Sequence, residues 1–218
     1  MLRNVDLSEI SDGKLYDAND MVKADCKGCE GCSACCRGMG KSIVLDPLDV
    51  HRLTTGLGVP FEALLSQHIE LNVVDGLILP NLKMTASADA CPFLNGQGRC
   101  SIHAYRPGIC RLFPLGRFYE NDSFRYFLQV HECPKPSKAK IKVYKWLDTD
   151  DIRTYEQFIS DWHYFLKALQ ERIAGMEGQT QIRSICMYVL QQFYLAPCED
   201  FYEAFHGRLD EAKRYFHM

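Results

Sequence analysis

The stretch CKGCEGCSACC, at residues 26–36, decides how this chain folds, because it concentrates five cysteines in one short run. These are Cys26, Cys29, Cys32, Cys35 and Cys36. Overlapping CxxC pairs run through it, and a CxxC pair on a turn can present two sulfurs to one metal ion. Gly28 and Gly31 permit the tight turns that such an arrangement needs. We therefore predict a turn-rich, metal-binding segment over residues 26–41.

Further cysteines outside this run enlarge the candidate site. Within the first 140 residues they are Cys91, Cys100, Cys110 and Cys133. One tetrahedral zinc takes four ligands, so the nine cysteines of this region exceed a single closed site. Two metal sites, or one polynuclear centre, fit the number better. Cys186 and Cys198 lie beyond, and Cys186 falls on the apolar face of a predicted helix, where we expect an inert buried thiol.

Disulfides are the competing explanation for so many cysteines. The chain has 11 of them, an odd number, and its first twenty residues show no apolar segment of the secretory kind. Disulfides belong mainly to oxidising compartments, whereas CxxC repeats in a reduced chain indicate metal binding or redox chemistry. We therefore favour metal over disulfides and expect a cytoplasmic protein.

Length and composition limit the remaining classes. The chain has 218 residues, of which 47% are hydrophobic and 24% charged, with a formal net charge of −3. This is a globular composition, large enough to bury a sizeable core. No apolar run approaches the roughly 18 residues of a membrane span, so we expect no membrane partner. The slightly acidic balance also argues against a nucleic-acid partner, which usually requires a basic face.

Local patterns place several elements before the C-terminal part of the chain. Asp46-Pro47 is typical of a helix N-cap followed by proline, and predicts a helix to about residue 55. A second helix is predicted over 60–73, and a strand over 76–84. Residues 116–130 have the pattern of a β-hairpin that turns at Asn121-Asp122.

The C-terminal part is predicted to be helical. Apolar residues recur at helical spacing over about 155–173, 182–193 and 201–216, with glycine or proline between these segments. The overall prediction is an α+β fold, mostly helical, with a small antiparallel hairpin and a cysteine-rich loop region stapled by metal. Residues 1–140 would form the cysteine-cluster region, and residues 141–218 a helical region packed on it as one compact unit.

Several separated blocks together carry a family resemblance. CEGCSACC (29–36), CPFL (91–94), CSIHAYRPGICRLFP (100–114) and Cys133 resemble the YkgJ-type cysteine-cluster family, which has a CxxCxxCC signature and is thought to chelate zinc or iron. The resemblance spans residues 26–135. It implies a set of metal ligands: Cys29, Cys32, Cys35, Cys36, Cys91, Cys100 and Cys110, with Cys133 as a trailing cysteine and Cys26 as an extra one. His103 stands where the pattern commonly has tyrosine; it could ligate, but we favour a packing or hydrogen-bonding role.

Two alternatives to a zinc protein stay open. The spacing from Cys26 to Cys36 is that of the bacterial ferredoxin run, although Arg37 replaces its proline and no second copy follows. An iron–sulfur redox protein is therefore one alternative. Flagellin lysine N-methylases also resemble this cysteine region, which implies a protein-modifying enzyme with a protein substrate, yet the chain lacks a glycine run for S-adenosylmethionine. We expect zinc as the cofactor, with iron or an iron–sulfur cluster as alternatives, and assign no catalytic residue.

Basic residues beside the cysteines are candidate donors to the sulfurs. Buried anionic metal sites need such donors. The candidates are Arg37, Arg99, Arg106 and Arg111, and His131 lies two residues before Cys133.

Overall fold

The structure, a computed structural model, describes residues 6–26 and 32–218 of the chain. Its helices and small two-stranded antiparallel sheets confirm the α+β prediction. The helices are α1 (Leu7–Ile10), α2 (Pro47–Leu57), α3 (Phe61–Gln67), α4 (Gly108–Leu112), α5 (Val143–Leu147), α6 (Ile152–Ala174), α7 (Gln179–Val189) and α8 (Phe201–Phe216). The strands are β1 (Met21–Asp25), β2 (Ile69–Val74), β3 (Leu77–Leu82), β4 (Leu115–Glu120), β5 (Ser123–Leu128) and β6 (Ala139–Lys142).

The larger of two cores joins the C-terminal helices to the first half of the chain. The apolar face predicted around residues 155–173 is buried on α6, whose Phe158 and Leu169 are fully enclosed. Against it pack α2, α3 and the hairpin β2–β3 from the first half, and α7 and α8 from the second. Phe93 and Ile102, which lie between the signature cysteines, also belong to this core.

A smaller core assembles segments that are far apart in sequence. It contains Val22 and Ala24 of β1, Tyr126 of β5 and Val143 of α5. Strand β1 pairs with β6, which a sequence pattern could not reveal because more than a hundred residues separate them. Leu112, at the end of α4, is buried in this core. The cysteine-bearing segment 91–112 is therefore anchored to both cores, which fixes its position.

Turn and cap chemistry explains the local predictions that are confirmed. The Asp46 side chain accepts a hydrogen bond from the Asp49 N–H, and the Asp49 side chain accepts one from the Asp46 N–H, which is a capping box. In the hairpin β4–β5, Asn121 and Asp122 both have positive φ, as a two-residue turn of this twist requires.

The predicted helix over 60–73 is wrong in its second half. Helix α3 ends at Gln67, and residues 69–74 form β2 instead. Asp75 and Gly76 both take positive φ and turn the chain into β3, which pairs with β2 along its whole length. Asp-Gly is a strong hairpin signal, and this turn overrides the helical spacing that predicted a longer helix.

The C-terminal helices follow their predicted segments, with one change of form. Helix α7 passes at Leu190 into a π-helical stretch that ends at Leu195, shortly before Pro197. Within the described residues, no helix combines the length and the apolarity that a membrane crossing demands. The division of the chain at residue 140 stays a prediction.

Candidate metal centre

The first part of the site is made by two segments that lie side by side. Residues 34–36 form a short 3-10 turn, and Arg37 pairs with Ala90 in an antiparallel bridge. The Cys91 N–H donates to the Cys36 carbonyl at 2.7 Å, and the Gly38 N–H donates to the Asp89 carbonyl at the same distance. This pairing holds the backbone of residues 36–38 beside the next signature cysteine.

A tight loop then returns the chain to the same place. Leu94 bridges Cys100, and the Asn95 side chain accepts hydrogen bonds from the backbone N–H groups of Gln97 and Arg99. Gly98 takes φ +70° in this loop, a conformation that suits glycine. The loop therefore brings Cys100 back beside the strand-like segment that starts at Cys91.

Helix α4 positions Cys110 through two buried polar side chains. The Gly108 N–H, in the first turn, donates to the Asp49 carboxylate at 2.6 Å. The guanidinium of Arg111 donates to the carbonyls of Ala104, Arg106 and Asp148. The sequence predicts Asp46 as a helix cap but does not single out Asp49, although the Asp-x-x-Asp spacing of the capping box is a signal for it.

Five thiols come into one neighbourhood as a result, from three separate segments of the chain. They are Cys35, Cys36, Cys91, Cys100 and Cys110. The negative charges that Cys91, Cys100 and Cys110 would carry act to raise the pKa of Cys36, and those of Cys91, Cys100 and Cys35 act in the same direction on Cys110. None of the cysteines within 6–26 and 32–218 is in a disulfide, so these sulfurs are free thiols.

The environment shifts the pKa values of the thiols in different directions. The thiol hydrogen bond between Cys35 and Cys36 raises the pKa of Cys35, aided by burial, and lowers the pKa of Cys36. Burial raises the pKa of Cys91 and of Cys110, and the Asp49 carboxylate raises that of Cys110 further. Burial also raises the pKa of Asp49 itself, together with the nearby charge of Asp46.

The five thiols are gathered but do not yet form a coordination shell. In the two described ranges, no three cysteine, histidine, aspartate or glutamate side chains converge closely enough to hold an ion. Cys29, the first cysteine of the signature, lies outside these ranges. The donor chemistry nevertheless fits zinc or iron, because soft thiolate ligands suit both.

The other predicted ligands are placed separately. Cys26 is buried just after β1, and Cys32 and Cys133 are half-buried. None of these three is among the strongest electrostatic partners of Cys35, Cys36, Cys91 or Cys110. The carbonyl of Cys133 accepts a hydrogen bond from the Lys138 ammonium at 3.1 Å.

The basic residues that were predicted to donate to the sulfurs differ in what they contact. The positive charge of Arg106 offsets a small part of the rise in the pKa of Cys35, and its guanidinium contacts the His103 ring, in line with the hydrogen-bonding role expected for His103. Arg111 is buried, and its donors go to backbone carbonyls instead of sulfurs. Arg37 and Arg99 are exposed, as is His131.

Comparison with known families agrees with this arrangement. Residues 28–141 match the family CxxCxxCC, described as "Putative zinc- or iron-chelating domain". The chain belongs to the CxxCxxCC family. The matched range contains all five gathered thiols and also Cys29, Cys32 and Cys133. Neither the curated proteins nor the solved structures contain a match to the chain.

Proposed function

We propose that this CxxCxxCC chain is a metal-binding protein that holds zinc through the five gathered thiols, with Cys29 and Cys32 completing the donor set. The observation that carries the proposal is the approach of Cys35 and Cys36, Cys91 and Cys100, and Cys110 from three segments with no disulfide among them. Thiols that serve only to fill the core do not need to lie beside one another. Cys26 and Cys133 are proposed as more distant members of the set.

Zinc binding would complete the assembly of the thiol ligands that the fold has already brought near one another. Zinc supplies a compact double positive charge, and its ligands must be thiolates, so binding releases protons from these buried thiols. Arg106 faces Cys35 and offsets part of the negative charge that then accumulates. The loop at residues 91–100 and helix α4 already hold three of the donors in place, which lowers the entropic cost of assembling the site.

Metal analysis of the full chain, purified without added metal, tests the proposal. We expect at least about one ion per chain, reduced by Cys36→Ser or Cys91→Ser, because each substitution removes one thiolate ligand. Cys198→Ser is the matched control, since that thiol contacts His51 at 3.7 Å and is not one of the five. Less than about one ion per chain, or equal metal content in all variants, would contradict the proposal.

The absorption spectrum separates zinc from its alternatives. Zinc has a filled d shell and gives a colourless protein. An iron–sulfur cluster held by the same thiols would give a brown protein with visible absorption, and would favour the redox alternative suggested by the Cys26–Cys36 spacing. The lysine N-methylase hypothesis stays a prediction, because no contact within the described residues bears on it.

A further inference from the structure

A thiol and an imidazole form a pair that does not belong to the five gathered thiols. The Sγ of Cys198, in the segment before α8, lies 3.7 Å from Nδ1 of His51 on α2, within reach of a hydrogen bond to sulfur. Cys198 is not in a disulfide, and both residues are only half-buried. A cysteine within hydrogen-bonding reach of a base is the arrangement that activates a thiol as a nucleophile.

The segment that carries Cys198 is held on both sides of the cysteine. Before it, the Pro197 carbonyl accepts a hydrogen bond from Arg208 Nη2 at 2.7 Å. After it, the Asp200 side chain accepts one from the Glu203 N–H at 2.9 Å and caps α8. The fold has therefore already met much of the entropic cost of holding the thiol opposite α2.

His51 is placed to accept the thiol proton. Its ring packs against the Phe201 ring, with the two centroids 5.4 Å apart. Burial and, secondly, the charge of Arg52 lower the pKa of His51, while the Asp200 carboxylate acts in the opposite direction. The imidazole is therefore neutral at pH 7, and a neutral imidazole has one ring nitrogen that can accept a proton.

One kind of thiol chemistry needs little more than this pair. Acyl transfer creates an oxyanion that must be stabilised by further donors. Exchange with a disulfide creates none, and depends on the attacking thiolate, the leaving thiol and access. His51 also borders an open cleft of about 400 Å³, which is large enough for a small organic molecule.

We propose that Cys198 is a thiol–disulfide exchange site, with His51 as its base, that takes up one half of a small disulfide. The Sγ proton passes to Nδ1 of His51, and the Cys198 sulfur forms a new S–S bond with one sulfur of the disulfide. The old S–S bond breaks, its electron pair stays on the departing thiolate, and that thiolate receives the proton from His51. A protein thiol and a small disulfide thus become a mixed disulfide and a small thiol, with no other oxidant.

Peptide mass spectrometry of the full, metal-loaded chain, after incubation with oxidised glutathione, tests this proposal. Cys198 and Cys186 lie on one tryptic peptide, residues 184–208, so fragmentation of that peptide assigns the adduct to one thiol or the other. Cys186 is the reference thiol, because it is buried and its Sγ contacts the Gly76 carbonyl at 3.8 Å. We expect the adduct to form about tenfold or more faster at Cys198 than at Cys186, and to be removed by dithiothreitol.

A histidine variant separates activation by the base from simple exposure of the thiol. His51→Asn removes the proton acceptor and should slow adduct formation at Cys198 about tenfold or more. His217→Asn, at an exposed histidine that ends α8, is the matched control and should react as the wild type does. If His51→Asn does not fold, the wild-type chain unfolded in urea replaces it. There Cys198 is fully exposed without an imidazole beside it, and should react several-fold more slowly than in the native chain.

Three results would overturn the proposal. They are a rate at Cys198 no higher than at Cys186, an unchanged rate in His51→Asn, and an unfolded chain in which Cys198 reacts as fast as in the native one. The readout comes from residues 184–208, whereas every proposed metal ligand lies within 26–133. The metal content of each sample is measured in parallel, and a chain without metal leaves the rate at Cys198 readable. The two proposals can therefore fail separately.

Discussion

Replacing Arg111 with methionine should destabilise the fold strongly, because this side chain connects three backbone segments. Arg111 is 5% exposed and donates to the Asp148 carbonyl at 2.7 Å, to the Arg106 carbonyl at 3.2 Å and to the Ala104 carbonyl. A hydrogen bond to a charged group contributes about 1.5–3 kcal/mol net. Ala104 and Asp148 are exposed, so water can replace the lost donor there, and we assign about 1 kcal/mol to each of those two bonds.

The expected loss for Arg111→Met is therefore roughly 3.5–5 kcal/mol in the free energy of unfolding, out of a typical total of about 5–15 kcal/mol. The ion pair with Asp148 contributes little to this, because the Asp148 side chain is 74% exposed and 3.4 Å away. Asp148→Asn removes that charge and keeps the carbonyl acceptor, so it is the matched control, with an expected loss below about 1 kcal/mol.

Urea unfolding of both variants, followed by circular dichroism, measures the two losses. A cost below about 1 kcal/mol for Arg111→Met, or a cost for Asp148→Asn equal to that of Arg111→Met, would contradict the role assigned to the carbonyl contacts. The second result would mean that the ion pair, and not the carbonyl contacts, carries the stabilisation. Because Arg111 follows Cys110 directly, the metal content of Arg111→Met should fall together with its stability.

Three further predictions concern other parts of the molecule. Burial lowers the pKa of His163, which stacks on Tyr119, to about 4. The neutral ring therefore stabilises the fold fully above pH 6.5, and this stability is lost as the pH falls towards 4. Urea unfolding at pH 7 and pH 5 should show the loss, and His163→Phe should reduce it. An equal loss in the variant would assign the pH dependence to other groups. Gly116→Ala should cost about 1–3 kcal/mol in thermal or urea unfolding, because the new methyl would lie 2.3 Å from the Phe127 ring, and an unchanged midpoint would show that the ring moves aside freely. Phe158→Ala should lower the free energy of unfolding by about 3–5 kcal/mol, since that ring is fully buried against the rings of Phe201 and Phe205. Leu71→Ala, at a side chain that is 42% exposed, should lower it far less. Similar losses in the two variants would contradict the assigned core.

The elements that the sequence predicts correctly are those whose signals are local. The capping box at Asp46 and the turn at Asn121-Asp122 each depend on a few neighbouring residues, so the sequence contains the whole signal. The prediction is wrong over residues 69–74, because the helical spacing of apolar residues there conflicts with the Asp75-Gly76 turn that follows, and the turn makes this segment a strand. Strand β1 could not be predicted either, since its partner β6 is distant in sequence.

For the candidate site, the spacing of the cysteines predicts metal binding, and the family resemblance rests on several separated blocks, from CEGCSACC at 29–36 to CSIHAYRPGICRLFP at 100–114. The free thiols and the match over residues 28–141 agree with that prediction, while the ligand set remains a proposal. The sequence could not show which cysteines are neighbours, nor that Asp49 supports the helix carrying Cys110.

The amino-acid sequence by itself determines which donor atoms this protein can offer to a metal, because residue type and short-range spacing set which atoms a turn can present. Only the tertiary structure decides that Cys35, Cys91 and Cys110 lie in one neighbourhood, that Arg111 donates to carbonyls instead of sulfurs, and that Arg52 keeps a nitrogen without an acceptor. The reason is that these relations depend on how two cores pack segments far apart in the chain, and no local pattern records that packing.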